Sequence, residues 1–191
     1  SSNAFPDIVA PVNGWVPLLT ANKWPDKTLP RGAYDLAGFL NLETGERTGV
    51  DAIEESCGPA KEENYDGTTT CRLVHPNGFH LPIIRGKNGW IISDWLRGDR
   101  DSYVAVVAPD GTNPQVSAIS HDALERIAFL NVHMTDDSEL PTTEDLLHYG
   151  ATGEHTWEAS SAVVYTSPDS GIASVTINDN QEIATNRAVF D

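Results

Sequence analysis

Between Thr68 and Leu96 apolar and polar residues alternate in three runs, Thr68 to His75, Phe79 to Arg85 and Trp90 to Leu96, separated by Pro76-Asn77-Gly78 and Gly86-Lys87-Asn88-Gly89. Period-two alternation broken by Asn-Gly steps predicts an antiparallel meander. Pro76-Asn77-Gly78 suits a three-residue hairpin loop that pairs His75 with Phe79. A two-residue Asn77-Gly78 turn would instead ask Pro76 to close the ladder, and proline has no N–H to donate. This register puts Cys71, Leu73, Phe79, Leu81 and Ile83 on one face, the more apolar one, which is assigned to the core. Arg72, Val74, His80, Pro82 and Ile84 fall on the other. Lys87-Asn88-Gly89 suits the same three-residue form, with Asn88-Gly89 alone as an equal competitor. The three-residue form sets Asp94 across from Pro82, with Trp90, Ile92 and Leu96 on its face and Ile91, Ser93 and Trp95 on the core side.

The rest of the chain is punctuated in the same manner. Five prolines between Pro6 and Pro30 forbid long helices and predict an extended arm that lays Ile8, Val9, Trp15, Val16, Leu18 and Leu19 on the core. Residues 33–50 read as a hairpin turning at Glu43-Thr44-Gly45-Glu46, and Gly38 marks a bulge or a close backbone approach. Asp51 caps a helical turn over 52–56. Tyr103 to Ala108 is apolar at nearly every position, as in a strand covered on both faces, and Gln115 to Ile119 returns from it. Ser120 is the N-cap of an amphipathic helix over 121–132, with His121 and Glu125 spaced to pair. Thr142 caps a shorter helix over 143–149 that Gly150 stops. The last forty residues revert to strands: 161–166, 172–177 and 182–190.

These elements predict one β-rich α+β domain over residues 1–191. Its architecture is an antiparallel sandwich or partly open barrel with one medium and one short helix. The length suffices for one well-buried core. Twelve Pro and fifteen Gly agree with a turn-rich chain. The charge is strongly acidic, with 28 Asp and Glu against 12 Lys and Arg, net −16. Nucleic acid and anionic membranes are therefore disfavoured partners. There is no apolar run of transmembrane length, so no membrane insertion is expected. The chain opens Ser1-Ser2-Asn3-Ala4-Phe5-Pro6 without Met, as a mature exported product would, or as a chain carrying a fusion remnant in Ser2-Asn3-Ala4 would.

The chain has two cysteines, Cys57 and Cys71, flanking a polar, acidic loop. A disulfide between them is expected, and with it an extracellular or cell-envelope location. The alternative is a pair of unrelated buried thiols.

No strong catalytic motif is present: no Gly-x-Ser-x-Gly elbow, phosphate-cradling loop, dinucleotide fingerprint or His-Glu-x-x-His. Arg97-Gly98-Asp99 matches an adhesion tripeptide, but charged turns are rich in these residues anyway. Three weaker constellations remain. Arg72, His80 and Asp94 meet on the polar sheet face beside Trp90, where a carboxylate-oriented His is a general base and Arg an anion holder. A slip of one residue in register scatters them. Asn178, Asn180 and Glu182, and Asp136, Asp137 and Glu139, alternate like oxygen ligands for a structural Ca2+, though the full calcium-loop pattern is absent. His75, His121, His133, His148 and His155 show no metal-ligand spacing.

The leading functional expectation is a secreted or cell-envelope binding module. It recognises a protein, glycan or small ligand through exposed aromatic and acidic residues. The alternative is a small extracellular hydrolase of phosphodiester or acyl bonds, with His80, Asp94 and Arg72 catalytic and Trp90 binding the ligand.

Overall fold

The structure, a computed structural model, describes residues 4–6, 11–21, 34–75, 83–94, 102–128, 141–155, 161–165, 172–178 and 183–187. Within them, β1 (Ala4–Pro6), β2 (Trp15–Ala21), β3 (Tyr34–Asn41) and β4 (Arg47–Thr48) form one antiparallel sheet in chain order. Helix α1 (Asp51–Glu55) and a 3-10 turn (Gly58–Ala60) lead into a two-stranded ribbon of β5 (Lys61–Glu63) and β6 (Thr69–Cys71). A second sheet has the order β10-β9-β8-β7, from β7 (Ile83–Gly86), β8 (Gly89–Ser93), β9 (Ser102–Val107) and β10 (Gln115–Ile119). Helices α2 (His121–Ala128) and α3 (Thr143–Thr152) follow. The third sheet is β11 (Ser161–Tyr165), β12 (Ile172–Asn178) and β13 (Ile183–Arg187). The fold is thus β-rich α+β, with antiparallel sheets that, among the described residues, close into no barrel.

Strands β7 to β9 of the second sheet are covered on both faces, and β8 and β9 are apolar at consecutive positions, whereas the edge strand β10 is largely exposed. Trp90, Ile92, Ala105 and Val107 point to one side and share a core with Leu19, Leu36 and Phe39 of the first sheet. Ile84, Ile91 and Val104 point to the other side and pack with Leu124 and Ile127 of α2 and Leu146 of α3. Side chains of this size contribute about 1.5–3 kcal/mol each when fully buried. The result is sheet, sheet, helix pair. Gly38 does mark a bulge: the β2–β3 register shifts between Leu18 and Leu19, and a Cβ there would lie 2.2 Å from the Thr48 carbonyl oxygen.

Five local expectations are corrected. Asp51 is the first residue of α1 and not its cap; Val50 precedes the helix and no side chain caps it. The strand expected to run through His75 stops at Cys71, and β6 pairs backwards with β5. Residues 72–75 form a turn in which the His75 N–H donates to the Cys71 carbonyl at 2.9 Å. A strand would aim Leu73 and Val74 at opposite faces, whereas the turn buries both in the same core. The 76–82 half of that hairpin lies outside the described residues. The β7–β8 loop has two residues, Lys87 and Asn88, with Gly86 opposite Gly89. Gly89 enters the ladder because any Cβ would lie 1.9 Å from the Val107 carbonyl oxygen. The face assigned to solvent is also covered: Val74 and Ile84 are buried, Ile84 beneath the helices. Finally, Gly150 does not stop α3. It lies within the helix, where a Cβ would meet Ile127 Cδ1 at 2.4 Å, so it is there for close helix contact. Left-handed Gly153 ends the helix.

Candidate functional site

Two of the three residues proposed as catalytic meet. Asp94 follows the end of β8 and Arg72 sits on the turn after β6; their side chains form an ion pair that is nearly buried. The Asp94 N–H donates to the Tyr103 carbonyl at 3.1 Å, and the Arg72 guanidinium stands 5.9 Å from the Tyr103 ring centroid. The guanidinium thus has a carboxylate on one side and an aromatic face near it, and both charges are compensated. His80 lies outside the described residues. Trp90, expected on the same face as a ligand platform, is completely buried in the core, its Nε1–H donating to the Pro109 carbonyl at 3.0 Å.

Cys57 and Cys71 are bridged, with Cα atoms 5.9 Å apart. The segment they enclose is the β5–β6 ribbon. Its tip is tied by side chains: Asn64 Nδ2 donates to Thr68 Oγ at 3.0 Å, Thr70 Oγ donates to Asn64 Oδ1 at 3.2 Å, and Asp66 Oδ1 accepts from the Thr68 N–H at 2.9 Å. The Thr68 hydroxyl and then its N–H hold the Asp66 carboxyl below the ordinary carboxylate range. Tyr65 stands at this tip, with a relative exposure of 110%, in a ribbon whose sequence also carries Glu62, Glu63 and Asp66. Sequence reading missed Tyr65, since a polar loop gives no periodicity. The available signal was an aromatic inside Asn64-Tyr65-Asp66-Gly67, a turn bracketed by two cysteines.

His75 occupies the base of the ribbon. Its Nε2 lies 2.9 Å from Glu54 Oε1 on α1, and its Nδ1 lies 3.7 Å from Asp35 Oδ2 on β3. Asp35, and then Glu54, raise its pKa above the ordinary histidine value, while burial opposes them. His121 pairs with Glu125 at 3.0 Å, as their helical spacing predicts. Exposed His155 meets Tyr149 edge-on, with ring centroids 5.8 Å apart, and His148 is exposed on α3.

Among the described residues no group of three or more His, Cys, Asp or Glu side chains is placed to hold a metal ion. Of the expected calcium ligands, Asn178 is in β12; Asp136, Asp137, Glu139, Asn180 and Glu182 lie outside the described residues, as do His133 and Arg97-Gly98-Asp99. No helix among the described residues is long and apolar enough to cross a membrane. Comparison with family models, curated proteins and solved structures finds no match.

Proposed function

We propose that this protein is an exported binding module, secreted or held in the cell envelope, that offers the β5–β6 ribbon to a protein partner. The observation that carries this reading is Tyr65, fully solvated at the tip of a ribbon fixed by a disulfide and by its own side-chain bonds. Tyrosine is enriched among side chains that dominate binding energy, and a pre-ordered loop loses little entropy on docking. A protruding tip suits a cleft in another protein, whereas a glycan or small ligand asks for a concave site. Glu62, Glu63 and Asp66 in the same ribbon, on a chain of net charge −16, favour a cleft rimmed by Lys and Arg. The bridged cysteines fit an oxidising compartment.

The test places a photo-crosslinking residue at exposed Thr69 and exposes the intact chain to the extracellular fraction of its source. Unlabelled wild-type chain should compete for the captured protein. Tyr65→Ala should compete at least about tenfold less well, the effect of losing a binding hot spot. Equal competition by Tyr65→Ala would remove the reading.

The hydrolase reading is supported by the Arg72–Asp94 pair, which would hold two of its three residues ready. Turnover of p-nitrophenyl phosphodiesters or acetates that disappears in His80→Ala would favour it; no turnover by the wild-type chain would end it.

A further inference from the structure

We infer that His75 is a proton-operated clamp on the base of the β5–β6 ribbon, so that the ribbon is held more firmly to the first sheet at acidic than at alkaline pH. This rests on the ribbon being the binding element. It concerns how that element is regulated.

The geometry needs only the chemistry of imidazole. Both ring nitrogens of His75 face carboxylates: Nε2 faces Glu54 at 2.9 Å and Nδ1 faces Asp35 at 3.7 Å. Only the imidazolium has an N–H on each nitrogen; a neutral ring has one N–H and one lone pair. Loss of the proton therefore turns one of the two contacts from attraction into lone-pair repulsion. The shorter contact, to Glu54, keeps the remaining N–H, and the Asp35 side opens. Among the described residues, these are the charged groups that pair with His75, one from β3 and one from α1. Arg72, on the same turn as His75, is engaged by Asp94. The raised pKa of His75 agrees with a ring that is charged when clamped.

The position of the clamp gives it leverage. Glu54 lies three residues before Cys57, and His75 four residues after Cys71, so the His75–Glu54 bond closes the ribbon a second time, outside the disulfide. Asp35 fastens that closure to the first sheet. The backbone bond from the Leu36 N–H to the Val74 carbonyl, 3.0 Å, keeps the turn docked in either state. The clamp therefore changes the stiffness of the ribbon without releasing it.

The experiment is NMR on the intact, disulfide-bonded chain. It follows the His75 imidazole together with methyl relaxation of Thr68, Thr69 and Thr70, from about pH 5 to about pH 8.5 on either side of an ordinary histidine pKa. The ribbon methyls should become more mobile in one step that tracks the His75 titration. Asp35→Asn should abolish the step, because an asparagine can donate to the neutral Nδ1 as well as accept from the charged form. His75→Gln should abolish it too. A mobility step that persists in His75→Gln, or His75 titrating with no step in the ribbon, overturns the clamp. Either of those results would leave the Tyr65 competition assay unaffected, so the two ideas fail separately.

Discussion

The second sheet and the β5–β6 ribbon are held by opposite means. Strands β8 and β9 are covered on both faces, with Trp90, Ile91, Ile92, Val104 and Ala105 completely buried. Their stability comes from area removed from water, spread over many contacts. Among the ribbon's residues the cysteine alone is buried, and its shape rests on a few discrete ties: one disulfide, several side-chain hydrogen bonds and the His75 pair. A core of the first kind tolerates no gap and displays nothing. A ribbon of the second kind can project an aromatic ring into solvent, because no part of its fold depends on burying that ring.

Mutations should separate these two regimes. Trp90→Ala should cost the most, about 4 kcal/mol, by leaving a cavity between the two sheets; the midpoint of urea unfolding measures it, and a loss below about 1 kcal/mol would mean that the core is not continuous there. Cys57→Ser should cost about 3 kcal/mol, the loop entropy of a closure of this length. The damage should be local, with amide exchange faster in β5 and β6 and unchanged in β8. Equal loosening of both regions would merge what is here distinguished. Gly150→Ala should cost about 2 kcal/mol, since its Cβ would press on Ile127 and overpacking costs of that order. Thermal unfolding and chemical shifts confined to α2 and α3 would show it.

The smallest effect is the dependence on pH. Asp35 and then Glu54 raise the folded-state pKa of His75. A histidine raised on folding adds stability that is fully present below its unfolded pKa of about 6.5 and is lost as pH rises through the folded value. The stability gap between wild type and His75→Gln should therefore shrink with rising pH across that window. Urea unfolding at several pH values reads it, and a gap that widens with pH would contradict the assignment of charge.

The strands were legible where alternation or an unbroken apolar run met turn residues. The predicted run at 103–108 became β9, and 115–119 became β10. The class of the fold followed from the same signals, and the disulfide from two cysteines closely flanking an acidic loop. What the pattern could not convey was how both faces of one sheet are used. Val74 and Ile84 fell on the less apolar face by alternation, but α2 and α3 cover Ile84, and the turn at 72–75 carries Val74 into the core shared with the first sheet. The β7–β8 register slipped by one residue because the contact that decides it, Gly89 against the Val107 carbonyl, comes from a strand distant in sequence. Gly150 misled for a similar reason, since a glycine after an apolar run reads as a stop until its neighbour helix is known. Tyr65 had no periodicity to betray it, only its place in a turn between two cysteines.

The β7–β8 loop also ties two distant parts of the chain together. Asn88 Oδ1 accepts the N–H of Thr143 at 2.9 Å, and the Lys87 N–H donates to the Pro141 carbonyl at 2.8 Å. One of the orphan amides at the start of α3 thus finds its acceptor on a hairpin tip 55 residues earlier in the chain. The same helix start is also closed locally, by the reciprocal bonds of Thr142 and Asp145. The start of α3 is thus shared property: part of its closure is its own, and part belongs to a hairpin tip, so a change at Asn88 reaches the helix without touching it in sequence.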